Sequence, residues 1–183
     1  MEKAFIIGEK VYLRPLERKD LEGDYRNWIN DPEVIRHIDS GAFPVNDDQL
    51  LDYFERNTKD RSTVFFAIVD KENEKHIGNA KLYLIDWVNR KSHRGIMIGD
   101  TSYWGKGVGL EVINLISKYA FETLNLNRVA AGSYPGNIGI IKVNERAGYK
   151  REGIIRQAVY RDGSYQDTIS WSILKEDYMA LKK

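Results

Sequence analysis

Apolar and polar positions alternate in short runs along most of the chain, and the period changes in only a few places. Residues 11–14, stopped by Pro15, read as a strand, because a proline holds its predecessor in extended geometry. Leu21, Tyr25, Trp28 and Ile29 share one face at helical spacing and predict a helix over 19–30, ended by Asp31-Pro32. Asn46 or Asp47 caps a second predicted helix over 46–57, whose buried stripe is Leu50, Leu51 and Phe54.

Three β-rich runs follow at 63–69, 76–85 and 92–98, joined by short polar connectors that predict hairpins and hence an antiparallel meander. From 107 to 124 the period becomes helical, with Glu111, Asn114, Lys118 and Glu122 as one wet stripe on an otherwise apolar element. A strand over 128–132 and a helix over 138–147, closed by Gly148, come next. Strand, glycine turn, helix and strand make a βαβ unit, which needs a parallel pair with a right-handed crossover. Runs over 149–160 and 165–174, linked through Asp162-Gly163, form a final hairpin. The seven runs predict a mixed, mostly antiparallel seven-stranded α/β sheet with a central parallel pair and helices on both faces. No repeat or linker divides it, so residues 1–183 read as a single domain.

Composition narrows the chemistry. With 42% hydrophobic and 30% charged residues, the 183-residue chain is an ordinary globular domain. The absence of cysteine removes disulfides, thiolate metal sites and a cysteine nucleophile. The apolar patch over 4–7 is too short for a signal sequence or a membrane span, which points to a cytoplasmic protein without a membrane partner. The net charge of +1 is uneven: residues 1–60 carry 9 basic against 14 acidic side chains, and the remainder carries a net +6. An amine-bearing molecule suits the front and an anion the back, although uneven solvated surface explains the same numbers. Neither part is basic enough to indicate nucleic-acid binding.

The stretch Trp104-Gly105-Lys106-Gly107-Val108-Gly109 opens the long helix with glycine at alternate positions, leaving amides unobstructed at a helix N-terminus, where phosphate is favoured. Alone, such a loop is an ordinary tight turn. It lacks the third glycine of a dinucleotide fingerprint, since position 110 is Leu. Downstream lies Asn137-Ile138-Gly139-Ile140, continuing to Asn144-Glu145-Arg146-Ala147-Gly148-Tyr149. Loop and helix together resemble the GNAT superfamily of acetyl-CoA-dependent N-acetyltransferases, with its Q/R-x-x-G-x-G/A loop and its helix beginning N-x-x-S/A and ending E-K-x-G-F/Y. The wording around Tyr103–Gly107, Asn30-Asp31-Pro32-Glu33-Val34 and the tail Glu152-Gly153 to Asp167 is similar to the RimJ/RimL-like branch. That branch holds ribosomal-protein alanine, spermidine and nucleotide-amino-sugar acetyltransferases, and the resemblance spans about residues 8–174.

The resemblance implies acetyl-CoA as acyl donor, CoA as product, no metal, and direct attack by an amine without an acyl-enzyme. It places the backbone of Met97 and Ile98 on the pantetheine arm, the amides of Trp104, Gly105, Lys106, Gly107, Val108 and Gly109 on the pyrophosphate, and Asn137 on the pantetheine or thioester region. Lys106 and Lys142 are candidates for the nucleotide phosphates, or else solvated surface charges. His93, where relatives often carry Glu, is the candidate base, with a water relay from Glu33 or Asp31 as the competing route. Asn144 stands where many relatives have the tyrosine that protonates the thiolate, and an amide cannot do so. Tyr134 is therefore the candidate acid, while Asn144 is left to bind substrate or a proton-carrying water. Ile140 departs from the expected small residue, and Trp104 replaces Gln/Arg. Trp28, Glu33, His37, Phe43, Tyr83 and Tyr165 are acceptor-pocket candidates, most of the aromatics being equally core residues. Asp167 reads as a structural hydrogen-bonding residue. The implied partner is a small amine, an amino sugar nucleotide or a polyamine, with a protein N-terminus and non-catalytic acyl-CoA binding as alternatives; a homodimer is left open.

Overall fold

The computed structural model describes residues 3–38 and 42–182. Its strands are β1 (Ile6–Ile7), β2 (Val11–Pro15), β3 (Val64–Asp70), β4 (His76–Asp86), β5 (Lys91–Ile98), β6 (Arg128–Ser133), β7 (Lys150–Arg161) and β8 (Ser164–Leu174). They form one eight-stranded sheet in the order β1-β2-β3-β4-β5-β6-β8-β7. Every neighbouring pair is antiparallel except β5 and β6. The helices are α1 (Tyr25–Trp28), α2 (Pro32–Ile35), α3 (Asp47–Lys59), α4 (Val108–Lys118), α5 (Ile138–Arg146) and α6 (Lys175–Leu181). α4 carries the crossover from β5 to the parallel β6.

Alternation along the strands sends two sets of side chains to two cores. Leu13, Phe66, Ile68, Leu82 and Ile173 pack on one face with Val112, Ile113 and Ile116 of α4. Tyr12, Phe65, Ala67 and Val69 pack on the other with Tyr25, Trp28, Val34 and Leu50 from α1, α2 and α3.

The mixed sheet and its parallel pair match the sequence expectation, and four details differ. The eighth strand is β1, where the apolar patch at the start pairs Ile6 with Leu13. The helix expected over 19–30 is two pieces, a 3₁₀ turn at Arg18–Glu22 and then α1, because Gly23 is extended with φ −87° and ψ −152°. Asp31-Pro32 starts a helix as well as ending one: Asp31 accepts the Glu33 amide and Pro32 takes the first turn of α2, where no N–H is needed. The helix expected over 107–124 widens to a π turn at Tyr119–Thr123. The Asp162-Gly163 hairpin is as expected, with φ of 49° and 78°.

The 3₁₀ turn is held by a buried ion pair. Arg14 reaches from β2 to both carboxylate oxygens of Asp20 at 2.7 Å, and the Glu17 amide donates to the same group at 2.8 Å. Burial opposes the Asp20 charge, but the hydrogen bonds from Arg14 and the Glu17 amide prevail and hold its pKa below the ordinary value. Asp20→Ala should leave the guanidinium buried and unpaired and lower unfolding stability by about 3–5 kcal/mol. Urea denaturation followed by circular dichroism measures this, and a loss below about 1 kcal/mol would show the pair to be unimportant.

Candidate active site

β5 and β6 pair at only three positions, Lys91↔Arg128, Ser92↔Val129 and His93↔Ala130. Beyond them β5 stays with β4 as far as Ile98, and β6 stays with β8 as far as Ser133. A gap therefore opens in the sheet. The Gly99 amide donates to the Ile77 carbonyl at 2.9 Å, so Gly78↔Ile98 is a pair that exchanges no hydrogen bonds. Ile98 accordingly turns its N–H and C=O toward the gap, whereas the main chain of Met97 faces Asn79 in the β4 ladder. Of the two residues expected on the pantetheine arm, only Ile98 presents its main chain to the gap. Its carbonyl accepts the Trp104 indole N–H at 2.9 Å, which ties the strand end to the loop.

Within that loop Gly105 and Gly107 have φ of 73° and 83°, a conformation that costs other residues about 1–2 kcal/mol. A methyl group at Gly105 or Gly109 would meet nothing within 4 Å, and one at Gly107 would meet only the Lys10 Nζ at 3.4 Å. The loop's glycine faces are open to solvent. Among the described residues no group accepts from the amides of Gly105, Lys106, Gly107, Val108 or Gly109. Five unpaired donors at the N-terminus of α4 make a cradle for an anion. Lys10 adds a cation by donating to the Lys106 carbonyl at 2.8 Å, and its own amide donates to Glu111 of α4 at 2.9 Å. Lys106 lies 5.7 Å above the Tyr103 ring. Asn137 caps α5 by accepting the Ile140 amide at 3.1 Å, which leaves its Nδ2 for other partners, while Lys142 is solvent-exposed one turn on.

His93 and Arg94, where the parallel ladder ends, point to opposite faces of the sheet. His93 is exposed beside Tyr83, with ring centroids 5.6 Å apart. Partial burial, then the nearby charges of Arg128 and Lys91, lower its pKa, so the imidazole is neutral at pH 7. On the other face Asn144 is fully buried and its Oδ1 accepts from Arg94. Tyr134, at the end of β6, is buried under Arg161, which donates to its hydroxyl at 3.1 Å and lies 4.4 Å from its ring centroid.

The last hairpin meets the segment after α2 through Arg161, which donates to the carbonyls of Arg36 and Ile38. His37 packs 6.0 Å from the Tyr134 ring, and its pKa is lowered by burial and then by Arg36 and Arg161. Glu33 is exposed on α2, and Phe43 and Tyr165 are exposed. Trp28 is a core residue: it packs 5.1 Å from His76, and a methyl group on Gly99 would sit 2.0 Å from its ring. Asp167 accepts the Gln157 amide at 2.8 Å and stabilises the bulge between β7 and β8, a structural role as expected.

Residues 10–150 match the acetyltransferase (GNAT) domain. The chain belongs to the GNAT acetyltransferase family. It is 32% identical over 179 residues to the probable N-acetyltransferase YjcK of Bacillus subtilis, covering 93% of this chain and 97% of that one. Over 101 residues, 55% of each chain, it is 37% identical to the putative ribosomal N-acetyltransferase YdaF of the same organism. The crystal structure of spermidine N-acetyltransferase from Vibrio cholerae in complex with CoA and spermine superposes with a TM-score of 0.84 at 26% identity, over 93% of this chain and 98% of that one.

In this GNAT N-acetyltransferase three site residues escape the sequence reading. Lys10 gave no signal, because its contact with the loop spans 96 positions. Arg161 sits on a hairpin far from Tyr134 in sequence. Arg94 did leave a trace, a charged residue at an inward position between Ser92 and Ile96. Among the described residues no helix is long and apolar enough to cross a membrane. The His93 imidazole should titrate below the ordinary value of about 6.5, read from its ring-proton chemical shift. A midpoint above that value would mean a carboxylate faces the ring in solution.

Proposed function

We propose that the protein transfers the acetyl group of acetyl-CoA by direct attack onto a primary amine of a small molecule. The observation that carries this reading is the run of unpaired amides from Gly105 to Gly109, set around two left-handed glycines beside an open gap in the sheet. The donor set fits a diphosphate: five main-chain N–H groups, a helix N-terminus and the ammonium of Lys10. When bound there, acetyl-CoA supplies a thioester whose acyl carbon an amine can attack. Lys106 and Lys142 are the candidates to meet its outer phosphates. Ile98 offers main-chain groups along the gap, and Asn137 offers Nδ2 at the start of α5.

The chain's own work is then largely positioning and proton movement. A reactive amine must be neutral. His93, neutral at pH 7 and on the face opposite Asn144, accepts its proton, with Glu33 and Asp31 of α2 as the alternative through water. Tyr134 is the candidate acid: its hydroxyl oxygen accepts an N–H of Arg161 at 3.1 Å, and a cationic donor on that oxygen eases loss of its own proton.

Two lines support a small, amine-rich acceptor: the acidic first third of the chain, and the similarity to an enzyme crystallised with spermine. The partial match to a ribosomal N-acetyltransferase supports a protein N-terminus as the second reading.

CoA should raise the melting temperature, and Gly107→Ala should weaken CoA binding about tenfold, since strain of about 1–2 kcal/mol at φ 83° falls on the cradle. Without CoA the variant's exposed loop should relax out of the strained φ, so that apo stability falls little and the cost returns on binding. No stabilisation by saturating CoA would overturn the assignment. A thiol-release assay over spermidine, a nucleotide-linked amino sugar and an alanine-terminated peptide should show turnover with one of the small amines. Turnover with the peptide alone would establish the second reading.

A further inference from the structure

Where the parallel ladder ends, a buried cation has no carboxylate partner among the described residues. Arg94 is 5% exposed and follows directly on the last parallel pair, with its guanidinium carbon 4.6 Å from the centroid of the Tyr149 ring. It donates to Asn144 Oδ1, yet Arg94 Nε and Asn144 Nδ2 are both buried and have no acceptor among the described residues. Among the described residues no acidic side chain forms an ion pair with it. The other buried arginine, Arg14, is bonded at both nitrogens to Asp20. A guanidinium keeps its charge inside a protein, and a buried charge without a counter-charge is costly. One orphan donor on a cation and a second on the amide bonded to it suit an anion of the reaction.

We propose that Arg94, with Asn144 Nδ2 beside it, is the counter-ion of the departing CoA thiolate; this rests on the acetyl-CoA reading above. The amine lone pair forms the C–N bond, and the C–S bond breaks with its electron pair on sulfur. The amine's proton goes to the base on the opposite face. Sulfur leaves as thiolate, paired with the guanidinium, and takes a proton from water after release. No acid is then needed at position 144, whose amide accepts from Arg94 through Oδ1 and donates to sulfur through Nδ2.

Tyr149 is the titratable group in contact with Arg94, and its hydroxyl is 3.3 Å from Ser117 of α4. His93 of β5 and Arg128 of β6 lie on the other face.

The test is a titration of the wild-type protein–CoA complex, following thiolate absorbance in the ultraviolet. The bound thiol should ionise at least one pH unit below the ordinary thiol value of about 8.5, a tenfold or greater preference for thiolate. Arg94→Met should return the midpoint to the ordinary value or higher, and Arg94→Lys should recover part of the shift. CoA should still stabilise both variants at a pH where the thiol is protonated, because the diphosphate cradle is untouched. A wild-type midpoint at or above the ordinary value overturns the role of Arg94 whether or not the variants fold. A depressed midpoint that survives in Arg94→Met overturns it too. Failure of CoA to stabilise the wild type overturns instead the reading on which it rests.

Discussion

β5 and β6 are held on their outer edges by β4 and β8, but they hold each other at three positions only. The ladder stops at His93↔Ala130, and beyond it main-chain groups of Ile98 face a gap rather than a neighbouring strand. The Ile98 carbonyl finds the Trp104 indole N–H instead of a strand. The loop, the helix caps and the buried arginine are all arranged around this opening.

The loop that borders the gap keeps its amides free by the same means that shape it. Left-handed conformations at Gly105 and Gly107 prevent the chain from closing those donors on itself, and the Trp104 indole fixes the loop to the Ile98 carbonyl. Lys10 and Glu111 then brace the loop and the first turn of α4 against β2, so the cradle is set by the sheet and is not a floating turn. Preorganised donors of this kind bind without the cost of ordering them.

The two buried arginines show how one residue type is put to different uses. Arg14 is satisfied by Asp20 and fixes the 3₁₀ turn on which the front of the molecule packs. Arg94 meets an amide oxygen and an aromatic face, which orient the guanidinium without neutralising it. His93, its neighbour in sequence, is neutral and lies across the sheet. The end of the ladder thus separates a proton acceptor from a fixed positive charge by the thickness of one strand.

Alternating runs, the glycine loop, the Asn137 cap, the Gly148 stop and the Asp162-Gly163 turn were legible in the sequence, because each is written in local backbone preferences and side-chain period. The family resemblance rests on the same local features. Whether Met97 or Ile98 turns its main chain to the gap is a matter of register with β4, which one-residue alternation cannot supply without knowing where pairing begins. Trp28 reads from sequence as a pocket candidate or a core residue alike, and its packing in the core is decided by Gly99 and His76, far along the chain. Lys10 on the loop and Arg94 against Asn144 join residues 96 and 50 positions apart. Local patterning determined the elements and the anion-binding loop; the charges around them were decided by tertiary packing, since electrostatic environment is a property of neighbours in space, not in sequence.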